Sequence, residues 1–380
     1  MKITDVEAIP VSVPIPKERQ NALGIGKLTK RDAVFVKVTT AGGLIGWGEA
    51  HHGRNPGAVA SIINNSLKGM VVGQDASNVA GIWSRLYQAQ VASHGMGAGS
   101  VIAISGIDMA LWDIRGKATG WPIYKLLGGA SKPILAYAGG GGSLGFGKTE
   151  ALLDECRGLI AMGFKALKLR IGQAPAIDLA RIEAVRKTFG DDVMLMTDAN
   201  AACSLEDVRQ LMPGLDALNV RWLEEPFPGS DQRSYAAAAR FGRTPLALGE
   251  NAYTRYEFRE YLERGDIAVL QPDVGKTGGF TEIMRIAAMA SGWRVPIHPH
   301  GGVTGLDLAA GIHVLAAIDN AGYFESSEGL NPLRELPFAS KPYELDKDGC
   351  VRPLEAPGLG LDVDEAFLRF HPVIEGPGFV

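Results

Sequence analysis

The sequence predicts an α/β barrel of the TIM type with a smaller α+β region in front of it, and two observations indicate this. The chain has 380 residues, enough to bury a large core. From about residue 133, short apolar runs alternate with longer helical segments, and each run is nearly continuous in hydrophobicity, as in strands covered on both faces. The eight runs are PILAYA, KALKLRI, VMLMTD, VRWLEE, LALGE, IAVLQPD, RVPIHPH and GYFES. Eight βα units favour a barrel over other α/β folds.

The region before the barrel contains strands first and helices afterwards. The segment KITDVEAIPVSVP predicts an amphipathic strand, and AVFVKVTTAGGLIGWGEA predicts a hairpin that turns at Gly42 and Gly43. Helical patterns follow near residues 57–70, 76–92 and 100–118, the last apolar around much of its surface. The tail beyond about residue 340 is expected to pack back on this region. We therefore predict a capping domain at 1–125, a barrel at 126–335 and a returning segment at 336–380.

Composition excludes several classes of function. The net charge of −4, from 38 basic and 42 acidic residues, provides no broad basic surface, so neither nucleic acid nor a membrane surface is expected as a partner. Asp5 and Glu7 interrupt the region where a signal peptide would be apolar. Cys156, Cys203 and Cys350 are widely spaced and contain no CxxC pair, which argues against disulfides and structural zinc. We expect a reduced, cytoplasmic protein.

Ionisable residues terminate one predicted strand after another, about one βα unit apart. Because the carboxyl ends of barrel strands carry the chemistry, this series predicts an active site. Chance would place one or two such residues there, whereas a run over seven strands is difficult to dismiss. The series is Lys168 with Arg170, Asp198, Glu224, Glu250, Asp273, His300 and Glu325.

Three consecutive acids in this series indicate a metal site. Asp198 ends MLMTDAN, Glu224 lies in WLEEP and Glu250 ends LALGEN, and consecutive barrel strands are neighbours. Two such charges about 4 Å apart repel by about 4 kcal/mol at an effective dielectric constant of 20, so three require a cation. Oxygen ligands without Cys or His favour Mg²⁺ over Zn²⁺.

Asp273 in QPDVGKTGG and His300 in PIHPHGG end adjacent strands. A carboxylate beside an imidazole fixes its tautomer and stabilises the imidazolium, so the pair predicts a general base. His298 is the alternative base, but it lies two residues earlier and is expected to be structural. His313, in the helical LDLAAGIHVLAA, is expected to pack in the core.

Other readings of the same residues remain open. GGGSLG at 140–145 matches G-x-G-x-x-G, but no acidic residue at the end of a following strand supports dinucleotide binding, and a flexible loop at the barrel mouth is the plainer interpretation. Lys168 could instead be the Schiff-base lysine of a metal-independent aldolase, which borohydride trapping would test and which leaves the three carboxylates unexplained. A non-catalytic carboxylate-binding protein is a further alternative.

Taken together, Lys-x-Arg, D-x-N, E-E-P, G-E, Q-P-D and the late His resemble the mandelate racemase branch of the enolase superfamily over essentially the whole chain. The resemblance implies a capping domain, a modified (β/α)7β barrel and a returning tail. It also implies that Mg²⁺ and a lysine bind a substrate carboxylate while a base removes the α-proton to give an enediolate. Family members commonly form dimers or octamers, so a homo-oligomer is expected.

The resemblance assigns roles to individual positions. Asp198, Glu224 and Glu250 match the metal ligands, and Lys168 matches the lysine that neutralises the carboxylate. The remaining matches are the Asp273–His300 dyad, Glu325 (with Glu328 as a weaker candidate) as the acid that hydrogen-bonds the enediolate, and Asn200 as a substrate contact.

Arg170 departs from the commoner Lys-x-Lys pattern, in which the second lysine is a base on the face opposite the histidine. Because arginine stays protonated, an electrostatic or binding role is favoured, and one-base chemistry through His300 follows. One base suits β-elimination of water to a 2-keto-3-deoxy acid. The sequence thus resembles acid-sugar dehydratases acting on aldonates or aldarates such as galactarate, with a racemase, epimerase or sugar-lactone cycloisomerase as the alternative.

Polar segments of the cap supply candidates for substrate contacts. They are ERQN at 18–21, GKLTKR at 26–31 and HHGRN at 51–55. His51 and Arg54 are the predicted substrate-binding residues among them. Lys and Arg in these segments suit a polyhydroxylated substrate, including a dicarboxylic one.

Overall fold

The cap is built on a three-stranded antiparallel sheet. In this computed structural model, which describes residues 1–17, 20, 22–23, 26–139, 144–327 and 331–380, the predicted first strand and hairpin both form. The sheet order is β1-β4-β5, and a small hairpin of β2 and β3 precedes β4. The strands are β1 (Ile3–Pro14), β2 (Ala22–Leu23), β3 (Gly26–Lys27), β4 (Lys30–Thr40) and β5 (Ile45–Ala50).

Helices cover one face of this sheet. The predicted 57–70 helix is divided into α1 (Pro56–Ser61), a π-helical segment at Ile62–Leu67 and α2 (Lys68–Val71). It is followed by α3 (Val79–Gln90), α4 (Ala98–Thr119) and the short α5 (Ile123–Leu126). The long α4 is buried along most of its length and packs directly on β5. This approach requires glycine, since a Cβ at Gly48 would lie 2.2 Å from the carbonyl oxygen of Gly106.

The barrel strands run parallel in the order β11-β10-β9-β8-β7-β6-β12, with helices between them on the outside. The strands are β6 (Ile134–Gly139), β7 (Ala166–Arg170), β8 (Met194–Asp198), β9 (Val220–Glu224), β10 (Leu246–Leu248), β11 (Val269–Leu270) and β12 (Phe324–Ser327). The helices are α6 (Thr149–Ala161), α7 (Pro175–Phe189), α8 (Leu205–Ala217), α9 (Gln232–Ala238), α10 (Thr254–Arg264), α11 (Val274–Thr277), α12 (Gly279–Gly292) and α13 (Gly305–Ala317).

The segment RVPIHPH, predicted to be a strand, is reduced to one bridging residue, and that prediction was wrong. Ile297 makes parallel bridges to Leu270 on one side and to Ala321 on the other. Pro296 and Pro299 flank it, and because proline has no backbone N–H neither can donate to the ladder, although the His300 amide still donates to the Pro272 carbonyl over 3.1 Å. The segment nevertheless occupies the seventh place in the barrel, so the predicted modified barrel with an α+β cap is confirmed as the fold class.

The C-terminal segment returns to the cap. It contains a 3₁₀ turn (Pro332–Arg334), β13 (Cys350–Val351), which pairs antiparallel with β6, and α14 (Glu365–Phe370). The Ser12 amide donates to the His371 carbonyl over 3.2 Å, and Leu28 forms an antiparallel bridge with Phe379. The tail therefore completes the cap and brings its final residues to the mouth of the barrel.

The cysteines and the apolar character of the helices are two further features of the structure. Cys156, Cys203 and Cys350 are all free thiols. Across the described residues, no helix combines the length and the apolar character needed to cross a membrane.

Candidate active site

A cleft of about 380 Å³ lies between the carboxyl ends of the barrel strands and the cap. Its wall contains seven of the predicted site residues: His51, Arg54, Arg170, Asn200, Glu250, His300 and Glu325. The others lie beneath or behind this wall, where Lys168, Asp198, Glu224 and Asp273 are at most 1% exposed. The structure thus gathers the predicted residues in one place, in two layers.

Lys168 is the centre of the lower layer. Its fully buried Nζ lies 2.7 Å from Glu224 Oε1, 2.7 Å from Glu325 Oε1 and 3.3 Å from Asp198 Oδ2. Burial lowers the pKa of Lys168, but the charges of Glu224 and Glu325 outweigh it and the net pKa lies above the ordinary value. Lys168 is therefore an ammonium held by three carboxylates.

Arg170 lies on the same side of β7 as Lys168, because side chains alternate along a strand. Its Nη1 donates to Asp198 Oδ2 and, over 3.0 Å, to Asn200 Oδ1. The Asn200 amide in turn donates to Asp198 Oδ1 over 2.8 Å. Asn200 and Ala201 both have positive φ, +44° and +60°, so the D-x-N turn is a sharp corner that Arg170 and Asp198 hold in place.

The three predicted metal ligands come from neighbouring strand ends. Asp198 and Glu224 pair in register between β8 and β9, and Glu250 follows β10. Each is engaged by a cation of the protein: Asp198 by Arg170 and Lys168, Glu224 by Lys168 and Glu250 by His300. Over the described ranges, no group of three acidic, imidazole or thiol side chains is arranged as a ready metal-binding site.

The donor chemistry nonetheless fits a hard divalent cation. All three side chains offer carboxylate oxygens, the ligands that Mg²⁺ prefers, and a fourth acid, Glu225, lines the cleft beside them. Burial, together with the charge of Glu250, raises the pKa of Glu225 to about 8. Taking up a metal requires the carboxylates to exchange their ion pairs with Lys168, Arg170 and His300 for metal contacts.

His300 and Asp273 form the predicted dyad geometry. His300 Nδ1 lies 2.7 Å from Asp273 Oδ2, and Nε2 lies 2.8 Å from Glu250 Oε2. Burial lowers the pKa of His300, but Glu250 and Asp273 raise it more, so the net pKa is well above the ordinary value. In this arrangement His300 is an imidazolium, and a role as base requires its Nε2 to be released from Glu250.

Glu325 is fixed by the backbone around it. Its Oε2 accepts from the Gly301 amide over 3.0 Å, while Oε1 contacts Lys168. Burial raises the pKa of Glu325, but Lys168 and His300 lower it further, so the net pKa is below the ordinary value. A Cβ at Gly139 would lie 2.5 Å from Glu325 Oε1, so glycine at the end of β6 makes room for this carboxylate.

The cap contributes a pair of stacked imidazoles. His51 and His52 have ring centroids 4.1 Å apart. The Nδ1 of His51 accepts from the Gly53 amide over 3.1 Å and that of His52 from the Arg54 amide over 2.9 Å. Burial lowers the pKa of both, that of His52 to about 3. Each neutral ring therefore carries its proton on Nε2 as a hydrogen-bond donor.

Lys276 and Arg31 are two cations of the cleft wall that the sequence analysis did not predict. Lys276, 5% exposed, donates from Nζ to Asn251 Oδ1 over 2.9 Å and lines the wall beside Glu250. It follows Asp273 by about one helical turn, and that spacing could have indicated it. Arg31 also lines the cleft; it lies in the GKLTKR segment but had not been singled out.

Other predictions have separate outcomes. His298 and His313 are buried packing residues, as expected: His298 Nδ1 accepts from the Tyr323 amide over 2.8 Å, and His313 stacks on Tyr124 with centroids 5.9 Å apart. Gln20 of ERQN donates to the Ile15 carbonyl over 3.0 Å. Glu328, the other three residues of ERQN and positions 140–143 of GGGSLG lie outside the described residues.

Comparison with known proteins identifies the family to which this chain belongs. Residues 6–128 match the model of the mandelate racemase/muconate lactonizing enzyme N-terminal domain, and residues 151–367 match the enolase C-terminal domain-like model. The arabinonate dehydratase of Saccharolobus solfataricus is 32% identical over 95% of this chain and 96% of its own length. The D-galactonate dehydratase of Ralstonia nicotianae is 34% identical over 88% of this chain and 90% of its own.

Solved structures agree. An enolase-superfamily member from Polaromonas sp. JS666 is 49% identical, with a TM-score of 0.97 and full coverage of both chains. A racemase from Streptomyces coelicolor A3(2), described with bound magnesium, is 27% identical with a TM-score of 0.87, covering 98% of this chain and 100% of its own. This chain is therefore an enzyme of the enolase superfamily and belongs to its mandelate racemase/muconate lactonizing enzyme family.

Proposed function

We propose that the protein is a Mg²⁺-dependent acid-sugar dehydratase acting on an aldonate or an aldarate such as galactarate. The observation that carries the proposal is the His300–Asp273 dyad: His300 lines the same cleft as Glu250 and Glu325, and Lys168 contacts Glu325 from beneath the wall. Such a site combines a proton acceptor with fixed charges for a carboxylate. Two relatives named as dehydratases of sugar acids support the reaction class.

In this proposal, Asp198, Glu224 and Glu250 would hold Mg²⁺, which would stabilise the charge that develops on the substrate carboxylate. Lys168 binds one oxygen of that carboxylate, and Glu325 hydrogen-bonds the enediolate. Asn200, His51 and Arg54 contact the substrate's polar groups. Fixed charges of this kind act mainly in the transition state, where the second negative charge appears.

His300 carries the proton in both steps. Its neutral Nε2 accepts the α-proton while Asp273 holds the Nδ1–H, and the C–H electron pair passes into the enediolate. The imidazolium then donates the same proton to the 3-hydroxyl, the C–O bond breaks, and water leaves. The resulting enol takes a proton at C3 and releases its 2-hydroxyl proton to solvent, which gives the 2-keto-3-deoxy acid.

Arg170 is proposed as an electrostatic and positioning residue. Its guanidinium is already committed to Asp198 and Asn200, and arginine does not deprotonate under ordinary conditions. With His300 as the one base of this proposal, elimination is favoured over racemisation through two bases.

The alternatives are less well supported. Racemase, epimerase or lactone cycloisomerase chemistry uses the same enediolate and remains the second choice, as the racemase from Streptomyces coelicolor illustrates. A Schiff-base aldolase needs Lys168 as a free amine, whereas three carboxylates around Nζ stabilise the ammonium.

The test is proton NMR in D₂O with pooled aldonic and aldaric acids, with Mg²⁺ or with EDTA. We expect loss of one substrate and appearance of a 2-keto-3-deoxy acid with Mg²⁺, and neither change with EDTA. Exchange of the α-proton without elimination would move the assignment to an isomerase. Turnover that persists in EDTA would contradict the metal ligands proposed here.

We further propose a cytoplasmic location and a homo-oligomer, either a dimer or an octamer. The free thiols accord with a reducing compartment. Sedimentation of the purified protein would establish the oligomeric state.

A further inference from the structure

The cleft continues into a second lobe, of about 210 Å³, beneath the cap. The two spaces adjoin, since both are lined by Leu28, Arg31, His52, Arg54, Val303 and Phe379. The remaining wall of the lobe comes from Lys30 and Asp32 of the cap and from Pro377 and Gly378 of the tail, and none of the strand-end residues proposed for catalysis lines it. A substrate bound in the cleft beside His300 would therefore extend toward this lobe at its other end.

Arg31 brings an uncompensated charge to this lobe. Within the described part of the chain, its buried Nε has no hydrogen-bond partner, and its guanidinium makes no recorded ion pair. Burial, with a smaller contribution from the charge of Arg170, lowers the pKa of Arg31 to about 10. A partly buried cation facing another cation is unfavourable, and an anion between Arg31 and the solvent would relieve it.

The neighbouring charges of the lobe are neutralised within the protein. Lys30 Nζ lies 3.3 Å from Asp32 Oδ2 and also donates to the Ile374 carbonyl. Asp32 Oδ1 accepts from Ser12 Oγ over 2.5 Å. Among the described residues of this segment of β4, Arg31 is therefore the charged side chain without a partner in the protein.

A second guanidinium, that of Arg54, also lines the lobe. Arg54 stacks on the ring of Phe379, with its Cζ 4.6 Å from the ring centroid, and its φ of +61° places it at a tight corner of the loop. His52, beside it, is a neutral donor through Nε2, since its Nδ1 accepts from the Arg54 amide. The lobe thus presents two guanidiniums and an N–H donor.

We propose that this lobe binds a second carboxylate, so that the substrate is a dicarboxylic acid sugar, an aldarate, rather than an aldonate. Arg31 and Arg54 bind the far carboxylate, and His52 donates to it. This proposal rests on the proposed function for the near carboxylate and the α-proton. It sets the chain apart from the two curated relatives described above, whose names refer to monocarboxylic acids.

The chemistry predicts strong discrimination. Guanidinium–carboxylate hydrogen bonds are about twice as strong as neutral ones, and a hydroxymethyl group in place of the carboxylate leaves Arg31 unpaired. One charge-assisted hydrogen bond contributes about 1.5–3 kcal/mol, which corresponds to roughly 10- to 150-fold in affinity at 1.4 kcal/mol for each factor of ten.

The experiment compares two pairs of acids, galactarate with D-galactonate and D-glucarate with D-gluconate, whose members differ only in whether C6 is a carboxylate or a hydroxymethyl group. Calorimetric affinity and kcat/KM are measured with Mg²⁺ for the native protein, for Arg31→Gln and for Arg54→Gln, the latter at an exposed position that should not disturb folding. Arg85→Gln, on the exposed face of α3, is the matched control.

We expect at least one aldarate to bind 10-fold or more tightly than its aldonate. Arg31→Gln should remove most of that difference through KM rather than kcat, Arg54→Gln a smaller part, and Arg85→Gln none. Equal affinity for the members of both pairs, losses that are the same for aldarate and aldonate, or no binding of either aldarate would each overturn the proposal.

The two proposals can fail separately. Arg31-dependent aldarate binding without α-proton exchange or keto-acid formation would overturn the proposed reaction and leave the second carboxylate site standing. Efficient dehydration of an aldonate that is indifferent to Arg31 would do the reverse.

Discussion

His300 presents one ring nitrogen to Asp273 and the other to Glu250, at 2.7 and 2.8 Å. The first contact orients the ring, and the second occupies the atom proposed to accept the proton. Glu250 is therefore both a proposed metal ligand and a competitor for the base. In this proposal, Glu250 must leave His300 Nε2 in order to bind the metal. The same change therefore completes the metal site and frees the base.

Replacing His300 by Asn removes the proposed base while keeping a polar side chain. We expect kcat to fall by about 10²–10⁴-fold, the usual contribution of a positioned acid–base residue, and α-proton exchange in D₂O to fall with it. Proton NMR measures both rates. His94→Asn, at an exposed position of the cap, serves as the control, and a His300→Asn protein that still exchanges at the native rate would mean that another group is the base.

At the scale of elements, the contact between α4 and β5 decides where the cap loop carrying His51 begins. Gly46 and Gly48 of β5 lie against the backbone of α4: a Cβ on Gly46 would come 2.1 Å from the Ala110 carbonyl oxygen. Because β5 ends at Ala50, immediately before His51, a displaced strand would move the imidazole pair relative to the barrel.

Gly48→Ala is expected to destabilise the fold. The new Cβ would lie 2.2 Å from the Gly106 carbonyl oxygen, and since backbone cannot yield as a side chain can, the free energy of unfolding should fall by about 1–3 kcal/mol, the usual range for overpacking. Gly42→Ala in the turn of the same hairpin meets nothing within 4 Å and is the matched control. Urea denaturation compares the two, and equal midpoints would show that the close approach is not needed.

At the scale of the whole molecule, barrel, cap and tail meet at His313. This residue of α13 stacks on Tyr124 of α5, and its Nε2 lies 3.3 Å from the Leu359 carbonyl in the tail. Burial lowers the pKa of His313 to about 4, against smaller raising contributions from Leu359 and Glu355. The junction of the three parts is therefore built around a neutral imidazole.

Acid should loosen this junction. Because the pKa of His313 is lower in the folded chain, its contribution to stability is full above about pH 6.5, the value for an unperturbed histidine, and is lost as pH falls toward about 4. His313→Gln keeps a donor for Leu359 but does not titrate, so its free energy of unfolding should fall less over this window, by up to about 3 kcal/mol. Denaturation curves at pH 7 and pH 4.5 measure the difference, and parallel losses in the two proteins would contradict it.

Much of the fold and of the candidate site was predictable because the signals are local. Apolar runs with ionisable residues at their ends recur once per βα unit. Any barrel built from these units brings the carboxyl ends of its strands together. Lys168 and Arg170 share a face for the same reason, since alternation along a strand is a covalent property of the chain. The wrong strand prediction at RVPIHPH also has a local cause, since Pro296 and Pro299 cannot donate backbone hydrogen bonds to a neighbouring strand.

The sequence by itself thus determined the barrel, the cap and the candidate acids and base, because each depends on periodicity and on neighbours along the chain. Only the tertiary structure decided how the charges are paired. Lys30 and Arg31 are adjacent, yet Lys30 shares one face of β4 with Asp32 while Arg31 lines the cleft. Which face of β4 meets the barrel depends on how the cap docks. The second lobe of the cleft also requires Phe379, which the tail places beside Leu28. Such contacts join residues hundreds of positions apart, and no local pattern encodes them.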